Sequence, residues 1–398
     1  CVESNQYGME VCSMADIVDE EASEVEKAAE ARPITPIYKG PGPNLLTQLM
    51  RIGVSIAVPL IAFGILYWAG TVLLDEDANR LLVVIVALII GVLGVFGLFY
   101  AMNWLTMQLP ERYRHYVLPF VFVGPAVVLL TIFLVYPTVV TVKLSFQNAQ
   151  GEGFVGIDNY VNIFTDSGTL EALRNSVLWV IFVPAFAVAI GLGFAVLADK
   201  LGSKGEAFSK SFIFMPMAIS FVGASIVWRF IYNFRPEGFG DQIGLLNGIW
   251  TALGNEPVAW LLQEPWNNFY LMVILVWLQV GFAMVILSAG IKAVPDDIIE
   301  AGRIDGATEF QVFWRIIIPS ISSTLVVVLT TIVITVWKVF DIVFVMTSGE
   351  FGTSVVAERM VTEFFTFGNE GQGAALAVVL LVAIIPLMVL NVRRFQAQ

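Results

Sequence analysis

Lys292-Ala-Val-Pro-Asp-Asp-Ile-Ile-Glu-Ala-Gly-Arg-Ile-Asp-Gly-Ala-Thr-Glu-Phe-Gln-Val-Phe-Trp-Arg-Ile-Ile-Ile-Pro-Ser320 is a polar interruption between two apolar stretches. It reads as two short helices joined by a glycine turn. Asp297 is placed to cap the first helix, with Glu300 at the capping-box spacing. Gly306 ends that helix, because a glycine just past the last turn takes a positive φ at little cost. Thr308 and Gln311 form a second box of the same kind. Phe310, Phe313, Trp314 and Ile317 fall at i, i+3, i+4 and i+7, the spacing of one apolar stripe. Pro319 marks the start of the next apolar stretch.

The surroundings of this loop set the fold class. Of 398 residues, 58% are hydrophobic and 14% charged, against about 45–50% and about 25% in soluble domains. The chain is expected to be an all-α, polytopic membrane protein. At about 20 apolar residues per span, eight spans are expected. They run near 52–74, 81–107, 116–139, 175–198, 211–232, 269–291, 320–346 and 373–392. Residues 1–48 are polar, with an acidic run from Asp16 to Glu30 and a Pro/Gly-rich stretch after Pro33; they read as a solvated, disordered tail. Residues 49–115 hold two extra spans, and 116–394 a six-span unit that includes the loop at 292–320.

The basic residues orient the chain. With the N-terminus in the cytoplasm, fourteen Lys and Arg fall on the cytoplasmic side, among them Arg112, Arg114, Lys200, Lys204, Lys292, Arg303 and Arg393. Six fall outside: Arg80, Lys143, Arg174, Arg229, Arg235 and Arg359. That bias places both termini and the 292–320 loop in the cytoplasm.

Several function classes are disfavoured. A net charge of −12 argues against a nucleic-acid partner, which needs clustered basic residues. Cys1 and Cys12, both in the tail, imply neither a disulfide framework nor a Cys-based metal site. No signal peptide is expected, and Met14 is a more ordinary start than Cys1. The single histidine, His115, leaves His-dependent metal sites and Ser–His–Asp catalysis without parts; it reads as interfacial. There is no G-x-x-x-x-G-K-[ST]. Gly191 and Gly193 lie in an apolar span, and Gly202-Ser203-Lys204-Gly205 has the wrong spacing for a phosphate loop.

Glu300-Ala301-Gly302, then Gly306, then Ile316-Ile317-Ile318-Pro319 resembles the EAA signature of ABC importer permeases. Gly302 stands where a second Ala is usual, and Ile318 replaces Leu. Asn159-Tyr160 with Phe164, the stretch Phe212 to Met217, and Val339-Phe340-Asp341 with Val345-Met346-Thr347 resemble further segments of the binding-protein-dependent sugar permeases. Ser348-Gly349-Glu350-Phe351-Gly352 departs from that pattern. The two extra spans are similar to those of eight-span maltose and α-glucoside permeases, and the end at Arg393-Arg394-Phe395 resembles the α-glucoside and glucosylglycerol members.

The resemblance implies a permease subunit of an ATP-driven sugar importer in a bacterial inner membrane. Its partners would be a second permease, an ATPase dimer and an external solute-binding protein. The chain would not be an enzyme: ATP and Mg would be bound by the ATPase, with no cofactor or metal here. Glu300, Ala301, Gly302, Asp305 and Gly306 would couple to that ATPase. Ala301 and Gly302 are small enough for close approach to a partner.

Polar and aromatic side chains near span centres are candidates for the sugar path, since polar groups are costly there. Trp277, Gln279 and Phe282 combine ring faces with an amide. Trp337 and Asp341 repeat the theme, with Lys338 at i, i+3 from Asp341 and placed to pair with it. Trp228 and Tyr232 close the fifth span. Aromatic residues also collect at membrane interfaces, so a packing role stays open for each. A secondary transporter or a membrane-embedded enzyme remain alternatives; the first leaves the loop unexplained, the second lacks a metal constellation.

Overall fold

The structure is a computed structural model that describes residues 79–107, 111–236 and 238–396, with parts of 61–74. The acidic tail and most of the first expected span lie outside the described residues. The described chain is helical; its one recorded β contact is an isolated antiparallel bridge between Gln147 and Phe154.

The chain divides into two compact units, 1–130 and 131–398. The first contains α1 (Arg80–Ile89), which passes through a π turn at Ile90–Gly94 into α2 (Val95–Met107), and α3 (Glu111–Leu130). Asn79 starts α1 by accepting from Leu81 N at 3.0 Å, as an N-cap should. Phe99 and Phe122 stack with ring centres 6.2 Å apart. Apolar side chains such as Leu81, Leu88, Phe96 and Phe120 are exposed; a helix apolar on all sides faces lipid or a protein core.

The second unit carries α4 (Tyr136–Leu144), α5 (Asp158–Ile163), α6 (Ser167–Asp199), α7 (Ser203–Phe214), α8 (Phe221–Ile231), α9 (Leu245–Ala252) and α10 (Trp266–Lys292). After these come α11 (Asp296–Ile304), α12 (Glu309–Val312), α13 (Ser322–Trp337), α14 (Asp341–Thr347), α15 (Val356–Val361) and α16 (Glu370–Gln396).

The central element is α10. Leu271, Met272, Ile274, Leu275, Ala283, Met284 and Leu287 on it are fully buried. Two glycines let its neighbours come close. A Cβ on Gly191 of α6 would stand 2.6 Å from Ala283 Cβ, and one on Gly281 would stand 2.5 Å from the Ile213 carbonyl oxygen of α7. Helices in lipid associate largely through such packing, because apolar burial gains little there.

Among the described residues, five helices are long and apolar enough to cross a membrane: Val83–Trp104, Arg114–Leu144, Ser167–Asp199, Trp266–Lys292 and Glu370–Arg393. Two bent pairs raise the number to seven if each is one span. The second pair joins Glu309–Ser320 to Ser322–Trp337 at 69°; the first pair, and a further break at Lys338–Phe340 that belongs to neither, correct two expected spans. The span expected at 211–232 breaks after α7: Met215–Ala218 is a 3-10 turn containing Pro216, and α8 restarts from Ser220 with a 100° bend. Pro216 cannot donate a helical hydrogen bond, while the Ser220 hydroxyl caps α8 by accepting from Gly223 N at 3.0 Å. The span expected at 320–346 stops at Trp337 and resumes at Asp341, with Phe340 at φ −131°, ψ −55°. That break separates Lys338 from Asp341, and no ion pair between them is formed among the described residues.

Candidate functional site

The loop at 292–320 is built by α11 and α12. Pro295, not Asp297, holds the N-cap position, and no side chain caps α11. The helix starts two residues earlier than expected, so Asp296 and Asp297 occupy its first turn, where the helix dipole favours acids. Its other end is a complete Schellman turn. Gly306 N donates to Arg303 O and Ala307 N to Gly302 O, both at 3.0 Å, with Gly306 at φ +85°. The second capping box is present: Gln311 N donates to the Thr308 hydroxyl at 3.3 Å, and Thr308 N to Gln311 Oε1 at 2.9 Å. Across the turn Arg303 grips Glu309 with two hydrogen bonds, Nε to Oε1 at 2.8 Å and Nη2 to Oε2 at 3.1 Å.

Two expectations about this loop change. Phe310, Phe313, Trp314 and Ile317 do not form one buried stripe, because Phe313–Ile317 is a π turn that breaks the 3.6-residue period. Phe310 and Trp314 are exposed, and Val312 is the buried residue. Gly302 is small for a reason inside the loop: a Cβ there would meet Ile316 Cδ1 at 2.5 Å. Glu300, Ala301, Asp305 and Gly306 are exposed, and Ile304 is 86% exposed. Behind the loop, Lys292 at the end of α10 pairs with Glu206 of α7 at 2.6 Å, and Lys210 pairs with the same carboxylate.

The expected sugar-path residues separate into groups. Trp228 and Trp277 meet edge to face with ring centres 5.9 Å apart. Both line a cavity of about 510 Å³ with Ile190, Phe194, Met215, Val276 and other apolar side chains from α6, α7, α8 and α10. Trp228 Nε1 is buried with no acceptor. Tyr232 packs beside Trp228 but is buried, and its hydroxyl donates to the Tyr270 carbonyl at 2.9 Å. Gln279, 7% exposed, and Phe282 are not on that cavity wall, and the Gln279 amide makes no hydrogen bond among the described residues. Trp337 sits elsewhere, packed with Ile163, Val356 and Leu376 and donating from Nε1 to the Leu380 carbonyl at 3.2 Å. Asp341 opens α14 and is half-buried.

Matched against family models, residues 170–396 fit that of the binding-protein-dependent transport system inner membrane component. The chain belongs to this family. As an inner membrane component it is a multi-pass membrane protein. It is 54% identical over 277 residues to the osmoprotective compounds uptake permease protein GgtC of Synechocystis, covering 70% of this chain and 98% of that one. It is 47% identical over 283 residues to the alpha-glucoside transport system permease protein AglF of Rhizobium meliloti, covering 71% and 83%. Among solved structures, a chain of a bacterial ABC transporter importing the acidic polysaccharide alginate superposes with a TM-score of 0.61 at 20% identity, covering 71% of this chain and 98% of that chain. That likeness concerns the fold.

One arrangement in this inner membrane component escaped the sequence reading. Three buried asparagines hold the 351–354 loop by its carbonyls. Asn175 Nδ2 donates to Gly352 O and Ser354 O at 2.8 and 2.9 Å, Asn268 Nδ2 to Gly352 O at 2.8 Å, and Asn267 Nδ2 to Phe351 O at 2.5 Å. Ser348 and Phe351 there are left-handed, at φ 55° and 57°, which side-chain-bearing residues adopt only when their surroundings hold them. The signal was present, since amides at the ends of apolar spans are functional or structural candidates. Their partners lie up to 179 residues away, beyond any local pattern.

Proposed function

We propose that the chain is a permease subunit of an ATP-driven sugar importer, carrying an α-glucoside or a glucosylglycerol-like solute. The observation that carries this reading is the loop at 292–320. Ile304, on the helix that carries Glu300 and followed by Asp305, has a side chain that is 86% exposed, and Phe310 on the next helix is 72% exposed. Large apolar groups left open on a loop closed by a Schellman turn and a capping box fit a protein groove. The partner is a cytoplasmic ATPase that binds ATP and Mg, and this chain hydrolyses nothing. The names of the similar permeases support the solute class, and their family description supports delivery by a binding protein. Both termini lie in the cytoplasm, as the basic residues indicate.

The tryptophan cavity supplies ring faces only. A sugar also needs hydroxyl partners, which binding sites provide with a few placed polar groups. Those groups come from a second permease subunit. The test is reconstitution in liposomes with ATPase, second permease and glucoside-loaded binding protein. Glucoside-stimulated ATP hydrolysis and uptake are expected; a purified chain that transports with no ATPase bound would overturn the reading.

A further inference from the structure

A polar cleft of about 360 Å³ at the N-terminal end of α6 has no part in the arrangement above. It lies at the far end of the core from the loop at 292–320. The 33 residues of α6 span about 50 Å at about 1.5 Å each, from Ser167 beside the cleft to Asp199, whose carboxylate is 3.9 Å from Lys292 Nζ. The cleft walls include Asp166, Thr169, Arg359, Glu363, Asn369 and Gln372, and every lining side chain is polar. The tryptophan cavity is apolar throughout, so the two are chemically opposite.

The one guanidinium in the cleft is shared between its two carboxylates, which leaves one negative charge in excess. Arg359 Nη2 lies 2.8 Å from Glu363 Oε1 and 3.7 Å from Asp166 Oδ2. A metal cation would have to displace the guanidinium, and an anion would have to compete with two carboxylates. Unmet hydrogen-bonding capacity remains instead. Gln372 is 5% exposed, lines the cleft, and its side-chain amide bonds to nothing among the described residues. Arg359 Nε is buried without an acceptor. The Gln372 amide atoms are not sealed from solvent: they open onto the cleft with no protein partner there, and that is where the hydroxyls of a ligand can meet them.

We propose that this cleft binds a neutral, hydroxyl-rich small molecule about the size of one sugar ring, with Gln372 as its principal contact. An amide donates and accepts at once, as a hydroxyl does, and the carboxylates and threonines complete such a set. The volume is at the low end of the roughly 300–1,000 Å³ of small-molecule pockets. The inference rests on the cleft alone and not on the importer reading.

The test uses the full chain in lipid nanodiscs with methyl α-glucoside as probe, read by ligand-observed NMR and thermal shift. Gln372→Met keeps the bulk and removes the amide. It is expected to weaken glucoside binding by about tenfold or more, while the ligand-free melting temperature stays unchanged, because the amide holds nothing inside the fold. Equal binding by the variant, no binding by the parent chain, or a stabilisation by calcium chloride that glucoside does not reproduce would each overturn the proposal. A sharp fall in ligand-free melting temperature would do so too, as it assigns Gln372 to the scaffold. Uptake by the assembled importer, measured separately, tests the function above without touching this result.

Discussion

Gly302 and Ile316 are in contact across the turn of the loop at 292–320, so closely that a Cβ on Gly302 would stand 2.5 Å from Ile316 Cδ1. The clash is with the far end of a flexible side chain. Gly302→Ala is therefore expected to be tolerated, with thermal stability and coupled ATP hydrolysis near the parent values. Gly302→Leu is expected to cost about 1–3 kcal/mol by overpacking and to lower glucoside-stimulated ATPase activity. Ile316→Val, which deletes Cδ1, should relieve any loss in Gly302→Ala; a double-mutant cycle reads the coupling.

Gly306 has open space around it and a φ of +85°. Substitution there costs through the backbone rather than through contacts, about 1–2 kcal/mol for an ordinary L-residue. Asparagine enters this region more readily than most residues. Coupled ATP hydrolysis should fall in the order Gly, Asn, Ala, Val. Equal activity in all four would show that the Schellman turn is not needed for coupling.

Asn175 and Asn268 both donate to Gly352 O. Asn175→Ala leaves the Ser354 carbonyl without its amide donor and Gly352 O with one of its two. The expected loss is about 1–3 kcal/mol, seen as a lower melting temperature in detergent. Adding Asn268→Ala should cost less than the sum of the two single changes, because the residues share an acceptor. Strict additivity would argue that the loop is held by other contacts.

Asp166 caps α6, accepting from Thr169 N and from the Thr169 hydroxyl at 2.8 and 2.9 Å. Those bonds, with Arg359 contributing less, hold its carboxyl below the usual carboxylate range. A group whose value is lowered on folding stabilises above its unfolded value, and that contribution is lost as pH falls through the folded value. The melting temperature should thus drop on acidification from the ordinary aspartate range downward, and Asp166→Asn should flatten that part of the profile. Asp166→Ala is expected to cost about 1 kcal/mol as a lost cap.

Local chemistry made the loop readable. Gly306, Thr308 and Gln311 act over three or four residues, and their roles were visible in the order of the chain. The π turn at Phe313–Ile317 was not, because nothing in that run of apolar residues distinguishes five from four residues per hydrogen-bonded turn. Pro216 followed by Ser220 was a readable break, masked by the hydrophobicity around it. The break at Lys338–Phe340 contains neither glycine nor proline, so tertiary packing decides it. The same holds for the sugar-path residues. Trp228 and Trp277 were named for separate spans and do meet, whereas Tyr232 and Trp337 spend their polar atoms on backbone carbonyls.

The glycines at 191 and 281 have a mechanical consequence. Backbone meets backbone between α6 and α10 and between α7 and α10, so the three helices are expected to move together. Rocking that opens and closes a path is then expected to hinge where the chain is already interrupted, at Ile219–Ser220, at Ile321 and at Lys338–Phe340. Spin-label distances between α6 and α10 should stay constant through an ATP cycle, while distances from α10 to α14 change.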